Sequence, residues 1–189
     1  VPIDVLTGVF FSISGNPSLT RVSAVLAPGS SVLFGTTDPG NVVGGEWAYK
    51  SGLAGAPGSA TSGISASGLG LFGPGDRFPG NDLQFPESVG GLECGLTTAG
   101  DDPTTGNAPM KGANALIKNS VVFTLSGLPN GFSLSSLSNV SFQYGTALDE
   151  PNIPSTQINQ VPEASSLALM GAGACSLLAV RRLRRRRHG

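Results

Sequence analysis

An all-β fold is predicted for this chain: an antiparallel β-sandwich or jelly-roll-like body with a single C-terminal transmembrane helix. Three observations predict it. Charged residues make up only 12% of the 189 residues, about half the usual share, while glycine (28) and proline (14) are plentiful. Short runs rich in Val, Ile, Phe and Thr recur between turn signals, seven or eight of them in about 145 residues, which is sandwich or jelly-roll spacing. Near the C-terminal end, an uncharged run from Ala164 to Val180 abuts a block of arginines.

Taken in order, Asp4 to Ser14 reads as a strand, and Gly15-Asn16-Pro17 turns the chain. Leu19 to Ala27 alternates loosely, with Val22 and Val25 apolar, and ends at Pro28-Gly29. Ser31 to Thr36 is a short apolar strand closed by Asp38-Pro39-Gly40-Asn41. Gly45 to Lys50 alternates so that Trp47 and Tyr49 share a face. From Ser51 to Gly91 glycine and proline dominate, which fits either a long ordered loop on a sandwich edge or short strands joined by tight turns, with Ile64, Leu69, Leu71 and Phe72 as anchors to a core. Leu92 to Thr97 is a further strand candidate, and Ala99 to Ala113 reads as a loop.

The clearest strands come last. Leu116 to Leu125 is read as one strand with Val121, Phe123 and Leu125 on one face. After the turn at Gly127 to Gly131, Leu134 to Leu137 is expected to form a brief turn of helix. In Asn139 to Tyr144 the alternation places Val140, Phe142 and Tyr144 inward and Ser141 and Gln143 outward. The domain organisation expected is a body at 1–145, a polar linker at 146–160 and a tail at 161–189.

The net charge of −1 conceals a split: residues 1–180 hold five basic side chains against all twelve acids, a net of −7. An acidic body argues against nucleic acid as a partner. Cys94 lies in the body and Cys175 in the apolar run, so the two form no disulfide framework and no metal-ligand spacing; Cys94 is expected to be a small buried or half-buried side chain. VPIDVLTGVFFSISG lacks the ordered parts of a secretory signal, so Val1 is read as a mature or truncated N-terminus with an upstream piece missing.

Catalysis needs a convergent polar set. The only histidine, His188, lies among the arginines of the tail, so the body holds no Ser-His or Cys-His pair. Gly68-Leu69-Gly70 lies in a turn-rich stretch, without the strand–helix context of a phosphate loop. Asp76, Asp82, Glu87, Glu93, Asp101 and Asp102 are the remaining candidates for a hydrolytic carboxylate pair. Asp76, Asp82, Asp101 and Asp102 are also candidates for Ca²⁺, although their spacing matches no calcium loop; turn formation by these aspartates is the favoured reading. No catalytic residue, metal site or cofactor is expected. Trp47, Tyr49, Phe72, Phe78 and Phe85 are candidates to line a sugar-binding surface, Trp47 and Tyr49 first among them, and core packing is the competing and favoured use of the same rings.

The tail has three parts: Val161-Pro162-Glu163, the 17-residue run Ala164–Val180, and Arg181, Arg182, Arg184, Arg185, Arg186 and Arg187. A 17-residue helix rises roughly 26 Å at 1.5 Å per residue, close to the hydrocarbon thickness of a bilayer. Pro162 suits the entrance of such a helix. The arginines act as a stop-transfer block and hold the C-terminal end on the cytoplasmic side, with the body outside that membrane.

Val-Pro-Glu, an apolar helix and an arginine cluster, in that order, resemble the PEP-CTERM sorting tail. Pro162 and Glu163 match the first two motif positions, and Ala164 stands where the family usually has a second proline. The resemblance implies processing near the Pro-Glu motif by exosortase, a membrane protease-transpeptidase. It implies delivery to the surface or extracellular matrix of a Gram-negative bacterium, with an inner-membrane anchor beforehand. In the body, Gly45-Glu46-Trp47, GLGLFGPGDRFPGNDLQ, ALIKNSVVFTLSGLP and NVSFQYGTALDEPN resemble an uncharacterised family of exosortase-dependent surface proteins, over roughly Trp47 to Asn152. The expected function is therefore that of a non-enzymatic exported surface protein. The alternative is a carbohydrate-binding module whose partner is exopolysaccharide.

Overall fold

The computed structural model of the chain describes residues 5–82, 94–98, 100 and 115–155. The chain divides into two units, Val1–Ser155 and Thr156–Gly189, and the described residues all belong to the first. The motif at 161–163, the apolar run at 164–180 and the arginines at 181–187 lie outside them. Among the described residues no helix is long and apolar enough to cross a membrane.

The described residues are mostly β, with short 3-10 turns and no α-helix. Their strands are β1 (Leu6–Ile13), β2 (Thr20–Leu26), β3 (Ser31–Leu33), β4 (Ala48–Ser51), β5 (Ser62–Ser65), β6 (Leu96–Thr97), β7 (Leu116–Lys118), β8 (Val121–Ser126), β9 (Leu137–Tyr144) and β10 (Asn152–Pro154). β1 is the centre of an eight-stranded sheet. One edge of β1 pairs with β9, which in turn carries β10. The other edge forks, pairing with β5 over Gly8–Phe11 and with β6 at Leu6. β5 carries β4, whereas β6 continues to β7 and β3. β2 and β8 form a separate two-stranded antiparallel sheet. Every pairing is antiparallel except that of β6 with β7, so the larger sheet is mixed, where a purely antiparallel one was expected.

Successive side chains of a strand point to opposite faces, and β1 buries both of its faces. Val9, Phe11 and Ile13 join a core that includes Ala24 and Leu26 of β2, Phe123 and Leu125 of β8, and Tyr49, Ile64 and Ile117 of the larger sheet. The two sheets therefore share one apolar cluster. Phe10 joins a second cluster, formed with Ala48 and with Ala56, Ala60, Leu69 and Phe72 from the glycine-rich stretch. That stretch is thus an ordered covering for one face of β1. It contributes β5 as well as Leu69 and Phe72 as anchors, while Ile64 faces the first core.

The ring of Phe10 needs small neighbours. Across the ladders it faces Gly63 on one side and Ser141 on the other. A Cβ on Gly63 would lie 2.8 Å from Cδ1 of Phe10, so glycine at 63 is a packing requirement.

Two expectations from the pattern are corrected. Leu116 to Leu125 is not one strand: Asn119 takes φ +93°, and the halves on either side enter different sheets as β7 and β8. In β9 the expected inside and outside are partly inverted. Ser141 (4% exposed) and Gln143 (fully buried) are its most buried residues, while Val140, Phe142 and Tyr144 are half-buried. Alternation predicts one dry and one wet face, whereas here both faces of the strand are covered.

The stretch expected to begin a linker at residue 146 belongs to the body as far as Ser155. Gln143 fastens it. Its Nε2 lies within hydrogen-bond distance of the carbonyl oxygens of Tyr144 (2.9 Å), Ala147 (3.0 Å), Glu150 (3.2 Å) and Pro151 (3.4 Å). Its Oε1 accepts from Nδ2 of Asn152 at 3.1 Å. The Glu150 carboxylate accepts from the backbone N–H groups of Thr146 and Ala147. Replacing Gln143 with leucine keeps the volume but removes the amide from the Glu150 carbonyl and from the Asn152 side chain, while the Ala147 and Pro151 carbonyls keep backbone N–H partners, a loss expected at about 1–3 kcal/mol. Urea unfolding should show a lower midpoint with an unchanged slope, and amide exchange should speed up across residues 145–155. An unchanged midpoint would show that water replaces the amide at no cost.

Candidate functional site

A tightly constrained place among the described residues is a crossing of two segments, Val43–Trp47 and Arg77–Asp82. The first is a single 3-10 turn at Gly44–Glu46 that leads into β4. The second lies directly against it: the Phe78 N–H donates to the Trp47 carbonyl at 2.8 Å, and Ala48 bridges to Arg77. Backbone meets backbone here. A Cβ on Gly44 would fall 1.9 Å from the Pro79 carbonyl oxygen, and one on Gly45 would fall 1.9 Å from that of Asn81. Only glycine fits at either position.

Side chains lock the crossing. Nη1 of Arg77 pairs with Oδ2 of Asp82 at 2.5 Å, with both side chains largely buried. The Asp38 carboxylate accepts from the backbone N–H of Asn81 at 2.7 Å and from its Nδ2 at 2.8 Å. Beneath lie three rings: Trp47 is edge-on to Phe123 at 5.0 Å, and Phe78 is tilted against Phe123 at 5.5 Å. Glu46 is fully buried in the same turn.

The sugar-platform reading fails on burial for the four candidate rings among the described residues. Trp47 is 2% exposed and Tyr49 3%, both in the shared core, so neither offers a ring face to a ligand. Phe72 sits in the second cluster and Phe78 in the first. Cys94 is buried, as expected.

Of the aspartates named as candidates, the two that are described are engaged within the fold. Oδ2 of Asp76 accepts from the Gly73 N–H at 2.9 Å, closing a turn, and Asp82 is paired with Arg77. Glu87, Glu93, Asp101, Asp102 and Phe85 lie outside the described residues, as do Val161, Pro162, Glu163 and His188. Among the described residues no three of His, Cys, Asp and Glu converge as a metal set would.

A cleft of about 270 Å³ opens where the start of β2, the end of β4 and the turn at Pro74–Asp76 meet. Its walls are Ser18, Leu19, Thr20, Arg21, Tyr49, Lys50, Ser51 and Asp76. Two of the cations of the body are held there by carbonyl groups. Nη1 of Arg21 donates to the Gly75 oxygen at 2.8 Å, and Nζ of Lys50 donates to the Leu71 oxygen at 2.9 Å. Nζ of Lys50 also lies 3.6 Å from Oδ2 of Asp76. Sequence reading did not find this group. Arg21 and Lys50 belong to separate segments, and neither sits in a motif that pairs them.

Comparison of the chain with protein-family models, with curated proteins and with solved structures finds no match.

Proposed function

We propose that this chain is a non-enzymatic exported protein of the cell surface or extracellular matrix, sorted through residues 161–189. The observation that carries the reading is the order of the tail: Val161-Pro162-Glu163, then 17 uncharged residues, then six arginines within seven positions. Each part has an ordinary use alone. Together they make a charged entry, a length of helix matched to a bilayer, and a block that stops transfer. In this reading exosortase cuts near Glu163, the bilayer holds residues 164–180 until then, and the arginines remain cytoplasmic. The body, taken as a β-sandwich, is the exported part, and its low charge and turn-rich strands suit that placement.

Mass spectrometry of the protein recovered from the cell exterior tests the processing step. The expected peptide map ends near Glu163. Pro162→Ala together with Glu163→Ala should leave most of the protein uncut in the membrane fraction. Recovery outside the cell of chains that still carry residues 164–189 would remove exosortase from the account.

A further inference from the structure

We infer that the cleft between β2, β4 and the turn at Pro74–Asp76 binds one unit of a hydroxylated carboxylate, the chemistry of a uronate sugar. The inference goes beyond the sorting reading and does not depend on it.

Size sets the first limit. At about 270 Å³ the cleft falls just below the range of roughly 300–1,000 Å³ for drug-sized ligands, so it takes a single small unit. Chemistry sets the second. Hydroxyl groups of Ser18, Thr20 and Ser51, two cations and one carboxylate share the walls with Leu19 and Tyr49. An apolar ligand would leave those polar groups dry and unpaired, at a cost.

The charges are also pre-oriented. Arg21 carries five N–H donors and Lys50 three. The carbonyl oxygens of Gly75 and Leu71 each fix one donor, Asp76 already lies 3.6 Å from Nζ of Lys50, and the donors left for an incoming anion are chiefly those of Arg21. A guanidinium fixed at one end presents its remaining N–H groups to a carboxylate without first losing side-chain freedom. The hydroxyl-bearing walls come from residues 18–20 and 51, and Ser18 and Thr20 are exposed at the mouth. They suit the ring hydroxyls of the same ligand. Asp76, anchored on the Gly73 N–H, adds an acceptor for one more ligand hydroxyl.

Calorimetric titration of the full-length chain in detergent micelles tests the inference, with a galacturonate oligomer, its methyl ester and inorganic phosphate as probes. The galacturonate oligomer should bind, more weakly as salt rises, and at least tenfold more tightly than the uncharged ester. Arg21→Gln and Lys50→Gln should each weaken it about tenfold. Thr20→Val, at an exposed strand position, should weaken it about threefold without moving Tm. Three results would each overturn the inference: no heat from the galacturonate oligomer, equal binding of the ester, or wild-type affinity in Arg21→Gln and Thr20→Val alike. Phosphate competing as well as galacturonate would reduce the site to a simple anion site and refute the sugar assignment.

Discussion

Gly45→Ala is expected to prevent the body from folding stably. The added methyl would sit 1.9 Å from the Asn81 carbonyl oxygen, 2.4 Å from its carbon and 2.8 Å from the Asp82 nitrogen. Ordinary overpacking costs about 1–3 kcal/mol because flexible side chains yield. Here the obstacle is main chain, and that main chain is pinned by the Arg77–Asp82 pair and by the Asp38 carboxylate on Asn81. Relief requires lifting residues 77–82 away, which pulls Phe78 off Phe123. A domain typically has only about 5–15 kcal/mol of stability to lose. The fluorescence of Trp47, the sole tryptophan, checks this, since it lies two residues from the change and is fully packed in the native state. The variant should show a red-shifted, solvent-exposed spectrum or remain insoluble. Gly75→Ala, where an added Cβ meets nothing within 4 Å, should behave like the wild type. A native spectrum and unchanged melting in Gly45→Ala would mean that the two segments do not cross as described.

Trp47→Ala should cost about 3–5 kcal/mol, the usual range for emptying a large aromatic site in a core. The ring is 2% exposed and lies edge-on to Phe123, so its removal leaves a void between the two sheets. Its indole nitrogen makes no hydrogen bond among the described residues, so the loss is one of packing. Trp47→Phe keeps a ring against Phe123 and should therefore recover most of the stability. Chemical denaturation followed by far-ultraviolet circular dichroism gives both values. Equal losses for alanine and phenylalanine would show that the indole is held by something other than packing.

Parts of this fold were legible in the sequence because a strand with one covered face writes its pattern directly. Val121, Phe123 and Leu125 share the inner face of β8, as their spacing implies. The turn at Gly15-Asn16 follows β1 where expected, with both residues at positive φ. Asp76 forms a turn, the ordinary use of an aspartate beside glycine and proline. The pattern misled where both faces of a strand are buried. Ser141 and Gln143 look like outward residues, yet they face Phe10 and the fastened 145–151 segment. The break at Asn119 left no mark either, because an asparagine at positive φ is a choice of conformation and not of composition. The glycine-rich stretch was left open between a loop and short strands because a glycine needed for close approach looks the same as one needed for a turn. Gly63 under Phe10 is of the first kind. The cleft was not legible at all. Arg21, Lys50 and Asp76 converge through strand pairing and a 3-10 turn, not through spacing along the chain.

The polar staple at Gln143 also bears on the proposed export. With the pairing of β10 to β9 it carries the folded body to Ser155, so the stretch between the body and Val161-Pro162-Glu163 is shorter than composition alone implies. A body fastened up to that point is expected to resist proteases along residues 145–155, which would suit the proposed placement outside the cell.

Cell fractionation tests the central claim most directly. The chain is expressed from its own gene, either intact or ending at Gln160, and both forms are followed with an antibody to the body. The account predicts that the intact protein passes through the inner membrane and accumulates at the surface or in the matrix. The shortened form should be missing from the membrane fraction and should not be retained at the surface. Full-length protein in the cytosol, with the two forms distributed alike, would contradict it.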